Sequence, residues 1–278
     1  MYIIDCHTHI FPPDIIAERD RYREYDSWFD QLYANPRAPM ANGDDLLKAM
    51  DQGGIDRAVT FGFSFADLAL CHACNEYVLD TASRHGEYLI PFIQVPPRAG
   101  REAIREARHC LERGARGIGE LMPDGQGFAL TDFDLLTPLM RLAKEFEVPV
   151  LFHTAEPVGH IYAGKGEQGS QEAFALASRY PDNVIILAHW GGGLPFYELM
   201  PEVREALRNV YYDTAASLYL YEAGIFRYAA QWVPDKILFG TDYPLIGPRR
   251  FLRHIERADL EPATQRKVLG ENAADLFC

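Results

Sequence analysis

The first residues able to do chemistry lie almost at the start of the chain, in Ile4-Asp5-Cys6-His7-Thr8-His9-Ile10-Phe11. Residues two apart on a strand share a face, so His7 and His9 look the same way. By itself the pair reads equally well as a metal site awaiting partners or as two polar residues decorating a strand. Partners of the right type recur downstream. Glu120 closes a Gly-Ile-Gly-Glu-Leu run, His153 lies in Val-Leu-Phe-His-Thr, His189 in Ile-Leu-Ala-His-Trp, and Asp242 in Leu-Phe-Gly-Thr-Asp-Tyr-Pro. Any one of them alone is more readily a structural or solvated residue. Together, four imidazoles and two carboxylates suit Zn²⁺ or a similar divalent ion, with Mn²⁺ and Fe²⁺ also compatible. Burying such a set without a cation would be costly.

The elements that must position these residues are short, β-branched and nearly continuously apolar, as strands buried on both faces should be. They span residues 2–6, 58–63, 88–94, 115–121, 148–153, 184–189, 209–213 and 236–240. Amphipathic segments separate them, among them 101–113, 132–147, 170–180 and 196–207, with a terminal helix expected over 264–277. Eight strands alternating with helices predict an α/β fold, a TIM-type (β/α)8 barrel, in which the strand ends converge on one mouth. No low-complexity linker divides the chain, so residues 1–278 read as a single barrel domain. More than thirty residues separate the first strand from the helix near Asp44. This long β1–α1 loop distorts the barrel pattern and is either a lid over the mouth or a plain surface excursion.

Composition narrows the partners. The formal net charge is −13, which repels nucleic-acid phosphates and anionic lipid, so neither nucleic acid nor membrane is expected. No run approaches the roughly 18 apolar residues of a membrane span, and no signal peptide is expected. Five thinly spread cysteines suggest no disulfide framework and fit a reducing cytoplasm. A small-molecule substrate is left, with the oligomeric state open. Its contacts are sought in the loops over the mouth, at His160, Tyr162 and Lys165 and at Trp28 in the long segment. Gly159 to Lys165 matches part of a phosphate-binding loop but lacks the following Ser or Thr, and reads as a chance match. Cys71 and Cys74, three residues apart in a helical segment, read as structural.

The ordered set of strand ends, closed by Gly270-Glu-Asn-Ala-Ala-Asp-Leu-Phe277, resembles the amidohydrolase superfamily of metal-dependent hydrolases. Within it the chain is most similar to the branch holding aminocarboxymuconate-semialdehyde decarboxylase and related lactone hydrolases. The resemblance implies that His7, His9 and Asp242 hold the more buried metal. His153 and His189 then hold a second ion or line the substrate site. Glu120 resembles a glutamate that bridges two metals in deoxyribonuclease-type relatives, and its presence tilts the count from one ion toward two. The resemblance also implies metal-activated water, with Asp242 as general base and His189 or His153 polarising a carbonyl.

These inferences make hydrolysis of a lactone, amide or related C–O or C–N bond the leading expectation. The alternative on the same scaffold is non-hydrolytic decarboxylation of a small carboxylic acid. A metal-dependent nuclease ranks lower because of the acidic charge, and a purely structural metal barrel is disfavoured because six ligands at a barrel mouth do not look closed.

Overall fold

The computed structural model describes residues 1–277, and Cys278 lies outside the described residues. Eight parallel strands pair in chain order: β1 Ile4–His9, β2 Arg57–Phe61, β3 Leu89–Ile93, β4 Gly117–Leu121, β5 Val150–Phe152, β6 Ile185–Leu187, β7 Val210–Asp213 and β8 Ile237–Leu238. β1 and β8 meet through single contacts: Cys6 N–H donates to the Phe239 carbonyl at 2.7 Å, Asp242 N–H to the His7 carbonyl at 3.0 Å, and His9 N–H to the Tyr243 carbonyl at 2.7 Å. The result is the TIM barrel expected from the strand–helix alternation.

Strand periodicity sorts the side chains into two cores. Ile4, Cys6, Val59, Phe61, Ile90, Phe92, Leu151, Ile186 and Leu238 come from six different strands and fill the barrel. Their neighbours in sequence, such as Ala58, Val150, Phe152, Ile185 and Leu187, pack outward against the helices. β1 breaks the alternation. Its register against β2 shifts between Asp5 and Thr8, so Cys6 joins the inner core while the next residue, His7, also faces inward against the Phe61 ring at 5.1 Å.

The segment after β1 is not a loop. It holds three short helices, Pro13–Ala17, Arg19–Tyr25 and Ser27–Tyr33. Phe29 is buried from the third helix among Phe11, Phe63 and Phe65. Asp26 fixes that helix to the barrel: one carboxylate oxygen accepts from Phe29 N–H at 2.8 Å, capping the helix, and the other accepts from Ala66 N–H at 2.9 Å. The helix expected over 196–207 is also divided. Tight turns run over His189–Leu199, and a helix begins only at Pro201, a residue suited to the first turn of a helix. Among the described residues no helix is long and apolar enough to cross a membrane.

Candidate active site

All six ligand-type residues converge at the C-terminal mouth of the barrel. Two triads each bring one donor atom per residue within 4.8 Å of the others: His7, His9 and Asp242, and Glu120, His153 and His189. Glu120 lies between them. Its Oε2 is 3.6 Å from His7 Nε2 and 3.8 Å from His9 Nε2, and its Oε1 is 2.9 Å from His153 Nδ1 and 3.6 Å from His189 Nε2. Asp242 closes the first triad, with Oδ1 3.7 Å from His7 Nε2 and 3.5 Å from His9 Nε2.

Local backbone explains how these side chains reach the mouth. His189 and Asp242 both adopt left-handed backbone, at φ 54° and 65°, an arrangement uncommon outside glycine and concentrated at functional sites. His189 opens a run of five left-handed residues through Trp190 and Gly191-Gly192-Gly193. Gly119, at φ +124°, presents its neighbour Glu120, and an added Cβ there would stand 2.2 Å from the Leu151 carbonyl oxygen. Only glycine fits.

The outer nitrogens of the histidines define the tautomers, because carbonyl oxygens and carboxylates only accept. His7 Nδ1–H donates to Asp213 Oδ2 at 2.9 Å, His9 Nδ1–H to the Gly62 carbonyl at 2.9 Å, and His189 Nδ1–H to the Ala215 carbonyl at 3.0 Å. His153 Nε2–H donates to the Gly164 carbonyl at 2.9 Å. On His7, His9 and His189 the inward nitrogens are therefore lone pairs, with His7 and His9 Nε2 3.3 Å apart, whereas His153 faces acceptors on both sides, its Nδ1 lying 2.9 Å from Glu120 Oε1 and 3.2 Å from His189 Nε2. Three inward lone pairs and two carboxylates in a buried cage repel unless positive charge enters. Protons or a divalent ion would supply it, and the anchored outer nitrogens match the support that metal-binding imidazoles receive. The donor set fits a divalent ion.

The same demand sets the proton affinities of the metal-free cage. Burial opposes charge on His7, yet Asp213 and Glu120 outweigh it and hold its pKa well above the usual imidazole value. Burial likewise opposes charge on His189, but Glu120 and Asp242 push it up to about 9. Burial would raise Glu120, and the surrounding His7 and His153 instead hold it well below the usual carboxylate range. Asp242 is lowered in the same way, chiefly by its hydrogen bond with His9, against the effect of burial. Beneath the cage, burial lifts Asp5 to about 7 despite hydrogen bonds from Thr241 and His7.

A cavity of about 370 Å³ opens onto the cage and is lined by His9, Glu120, His153, His189 and Asp242. Leu32 and Tyr33 from the helical overhang reach into its lining, as do His160 and Tyr162. Of the residues sought as substrate contacts, Trp28 and Lys165 do not line the cavity. Trp28 Nε1–H points at Met122 Sδ, 2.9 Å away, and so lies behind the wall. Lys165 turns back on its own loop, donating to the carbonyls of Val158 at 2.7 Å and His160 at 3.2 Å. Sequence reasoning missed Asp213, although it ends the seventh strand where the other site residues end theirs.

A closed parallel barrel with imidazoles and carboxylates gathered at its strand ends is the architecture of the amidohydrolase superfamily of enzymes. The chain belongs to the amidohydrolase family, whose model matches residues 4–277. It is 26% identical over 318 residues to 6-methylsalicylic acid decarboxylase of Penicillium expansum, covering 99% of this chain and 95% of that protein. It is 22% identical to gamma-resorcylate decarboxylase of a Polaromonas species, covering 84% of this chain and 86% of that protein. A crystal structure of 5-carboxyvanillate decarboxylase from Novosphingobium aromaticivorans, complexed with manganese and 4-hydroxy-3-methoxy-5-nitrobenzoic acid, shares the fold. Its TM-score is 0.79 at 20% identity, with 99% of this chain and 96% of that chain covered. These relatives overturn the hydrolase reading, and with it the nuclease reading: proteins similar along nearly the whole chain are decarboxylases. Glu120, which tilts the ion count toward two, does not separate hydrolysis from decarboxylation, because either reaction can use a bound divalent ion.

Proposed function

We propose that this protein is a metal-dependent, non-hydrolytic decarboxylase of a small hydroxylated aromatic acid. The observation that carries the reading is the similarity to 6-methylsalicylic acid decarboxylase across 99% of the chain. The cavity supports it: at about 370 Å³ it exceeds the roughly 150 Å³ apolar cavity that holds one benzene, leaving room for a ring with substituents. The match over residues 4–277 without a break is in keeping with a single barrel domain.

His7, His9 and Asp242 would hold a divalent ion, with Glu120 shared toward His153 and His189 as a second set of ligands. When bound, the ion supplies positive charge that binds and orients the substrate's oxygens. The chain's own task is proton delivery. In ArCOO⁻ + H⁺ → ArH + CO₂ the electron pair of the breaking C–C bond remains on the ring carbon and takes up the proton. Asp242 and His189 are the cavity-lining groups proposed to carry it, each held by neighbours that favour one orientation. His189 is fixed by Nδ1–H to Ala215, and Asp242 by its backbone N–H to the His7 carbonyl. Phe63 and Met122 in the wall keep the ring in an apolar setting.

Carbon dioxide release from 6-methylsalicylate or 2,6-dihydroxybenzoate by manganese-loaded protein tests the reading. Release that is lost on chelation is expected. No release across a panel of hydroxylated benzoates refutes it.

A further inference from the structure

The charges around the cavity limit which acids can enter. Resting on the decarboxylase reading, we infer that the cavity accepts aromatic monocarboxylates and refuses a second carboxylate on the ring. The wall beyond the cage is apolar, with Leu32, Phe63, Met122, Leu220 and Leu245. Its other polar groups at that end are the hydroxyls of Tyr33, Tyr219 and Tyr162, the last donating to Glu156 Oε2 at 2.9 Å, and the exposed imidazole of His160. Burial keeps the Tyr33 phenol protonated well above neutral pH.

Among the described residues no arginine or lysine lines the cavity, and three nearby cations have partners of their own. Arg19 donates to the carbonyls of Asn35 and Pro36, at 3.3 and 3.1 Å. Arg250 lies over the Tyr219 ring at 5.3 Å and donates to its hydroxyl at 3.1 Å. Lys165 is held by Val158 and His160.

The cage has no charge to spare either. Glu120, Asp242 and Asp213, the last bound to His7, are three carboxylates. One divalent ion leaves the group at −1 (2 − 3), and two leave it at +1 (4 − 3), which one substrate carboxylate cancels. A second ring carboxylate would then be buried among leucines and phenols with no cation, a costly transfer. Hydroxyl, methyl and methoxy substituents meet no such penalty.

The test is equilibrium binding by titration calorimetry to manganese-loaded protein at pH 8. Three ligands are compared: salicylate, 5-carbamoylsalicylate and 5-carboxysalicylate. The amide matches the second carboxylate in shape without its charge. Salicylate and the amide are expected to bind within threefold of one another, and the dicarboxylate at least tenfold more weakly than the amide. A dicarboxylate binding within threefold of the amide overturns the inference. So does an amide as weak as the dicarboxylate, which would make the limit one of size, and so does absence of salicylate binding. Carbon dioxide release is read separately, so discrimination by charge without turnover would count against the decarboxylase reading and leave the inference standing.

Discussion

Replacing Asp213 by Asn keeps the side chain's size and removes one charge, yet it should disable His7 as a ligand. The carboxylate performs two tasks. Oδ2 accepts from His7 Nδ1–H at 2.9 Å, while Oδ1 accepts from the backbone N–H groups of His189 at 3.2 Å and Ala215 at 3.0 Å. An amide cannot accept on both sides. If its oxygen stays with the two backbone donors, its NH₂ faces His7 Nδ1 and drives that proton to Nε2, the atom that points into the cage. If the amide flips, two buried backbone donors face an NH₂ and lose their acceptor, at roughly 1–3 kcal/mol for each unsatisfied group. The first arrangement is cheaper, so the imidazole tautomer should invert. Loss of a partner behind a metal-binding histidine typically lowers affinity 10- to 100-fold, about 1.4 to 2.7 kcal/mol. Manganese affinity measured by competition with a fluorescent chelator reads this directly, with far-UV circular dichroism checking that the variant is folded. A folded Asp213→Asn variant that binds manganese within twofold of the parent refutes the tautomer argument.

Four further expectations follow from the geometry. Glu120→Gln should lower the number of manganese ions bound per chain or weaken their binding at least tenfold, because the carboxylate faces both triads; unchanged stoichiometry and affinity would remove it from the cage. In chelator-treated protein, stability should fall as pH rises. His189 is near 6.5 when unfolded and about 9 when folded, so its contribution is complete below 6.5 and lost on passing 9; Asp5, raised from 3.8 to about 7, acts in the same direction at lower pH. The melting temperature should therefore drop between pH 6 and 9 in the metal-free protein and much less with saturating manganese, and a metal-free curve that rises with pH would contradict this. Gly119→Ala should cost more than about 2 kcal/mol in urea unfolding or fail to fold, since its methyl would collide with the Leu151 carbonyl. Asp26→Ala should lose about 1 kcal/mol of stability and raise KM more than it lowers kcat, through loosening of the overhang that carries Tyr33; parental KM would detach that helix from substrate binding.

Strands were the most legible part of the chain. Ile185 to Leu187 and Val150 to Phe152 are apolar on both faces because they lie between two cores, and that doubling is what a continuous hydrophobic run records. His153 and His189 stood out because each interrupts such a run. Asp213 did not, since an aspartate after Val-Tyr-Tyr looks like an ordinary strand terminus, and its role depends on His7, 206 residues away. The overhang was illegible for a related reason: its charged residues mask a short apolar stripe around Phe29 that matters only against Phe63 and Phe65 from another part of the chain. The choice between hydrolysis and decarboxylation was not encoded in the ligands, because a cage that holds a cation does not specify what approaches it. The lining does more to decide that, and Tyr33 and Leu220 reach it from the last residues of short helices and Leu245 from a turn, none of which periodicity describes.

The seam between β1 and β8 also has a consequence for synthesis. His7 and His9 leave the ribosome well ahead of their carboxylate partner Asp242, which is 235 residues behind His7 (242 − 7), and the contacts that seat it run from β1 to Phe239 and Tyr243. During translation the histidine pair therefore lacks the carboxylate that the finished barrel sets beside it. Selection of the proper ion is thus deferred until the barrel's last strand docks against its first. A chain halted before Asp242 would carry a loose two-histidine chelate, open to the wrong metal, in place of a cage.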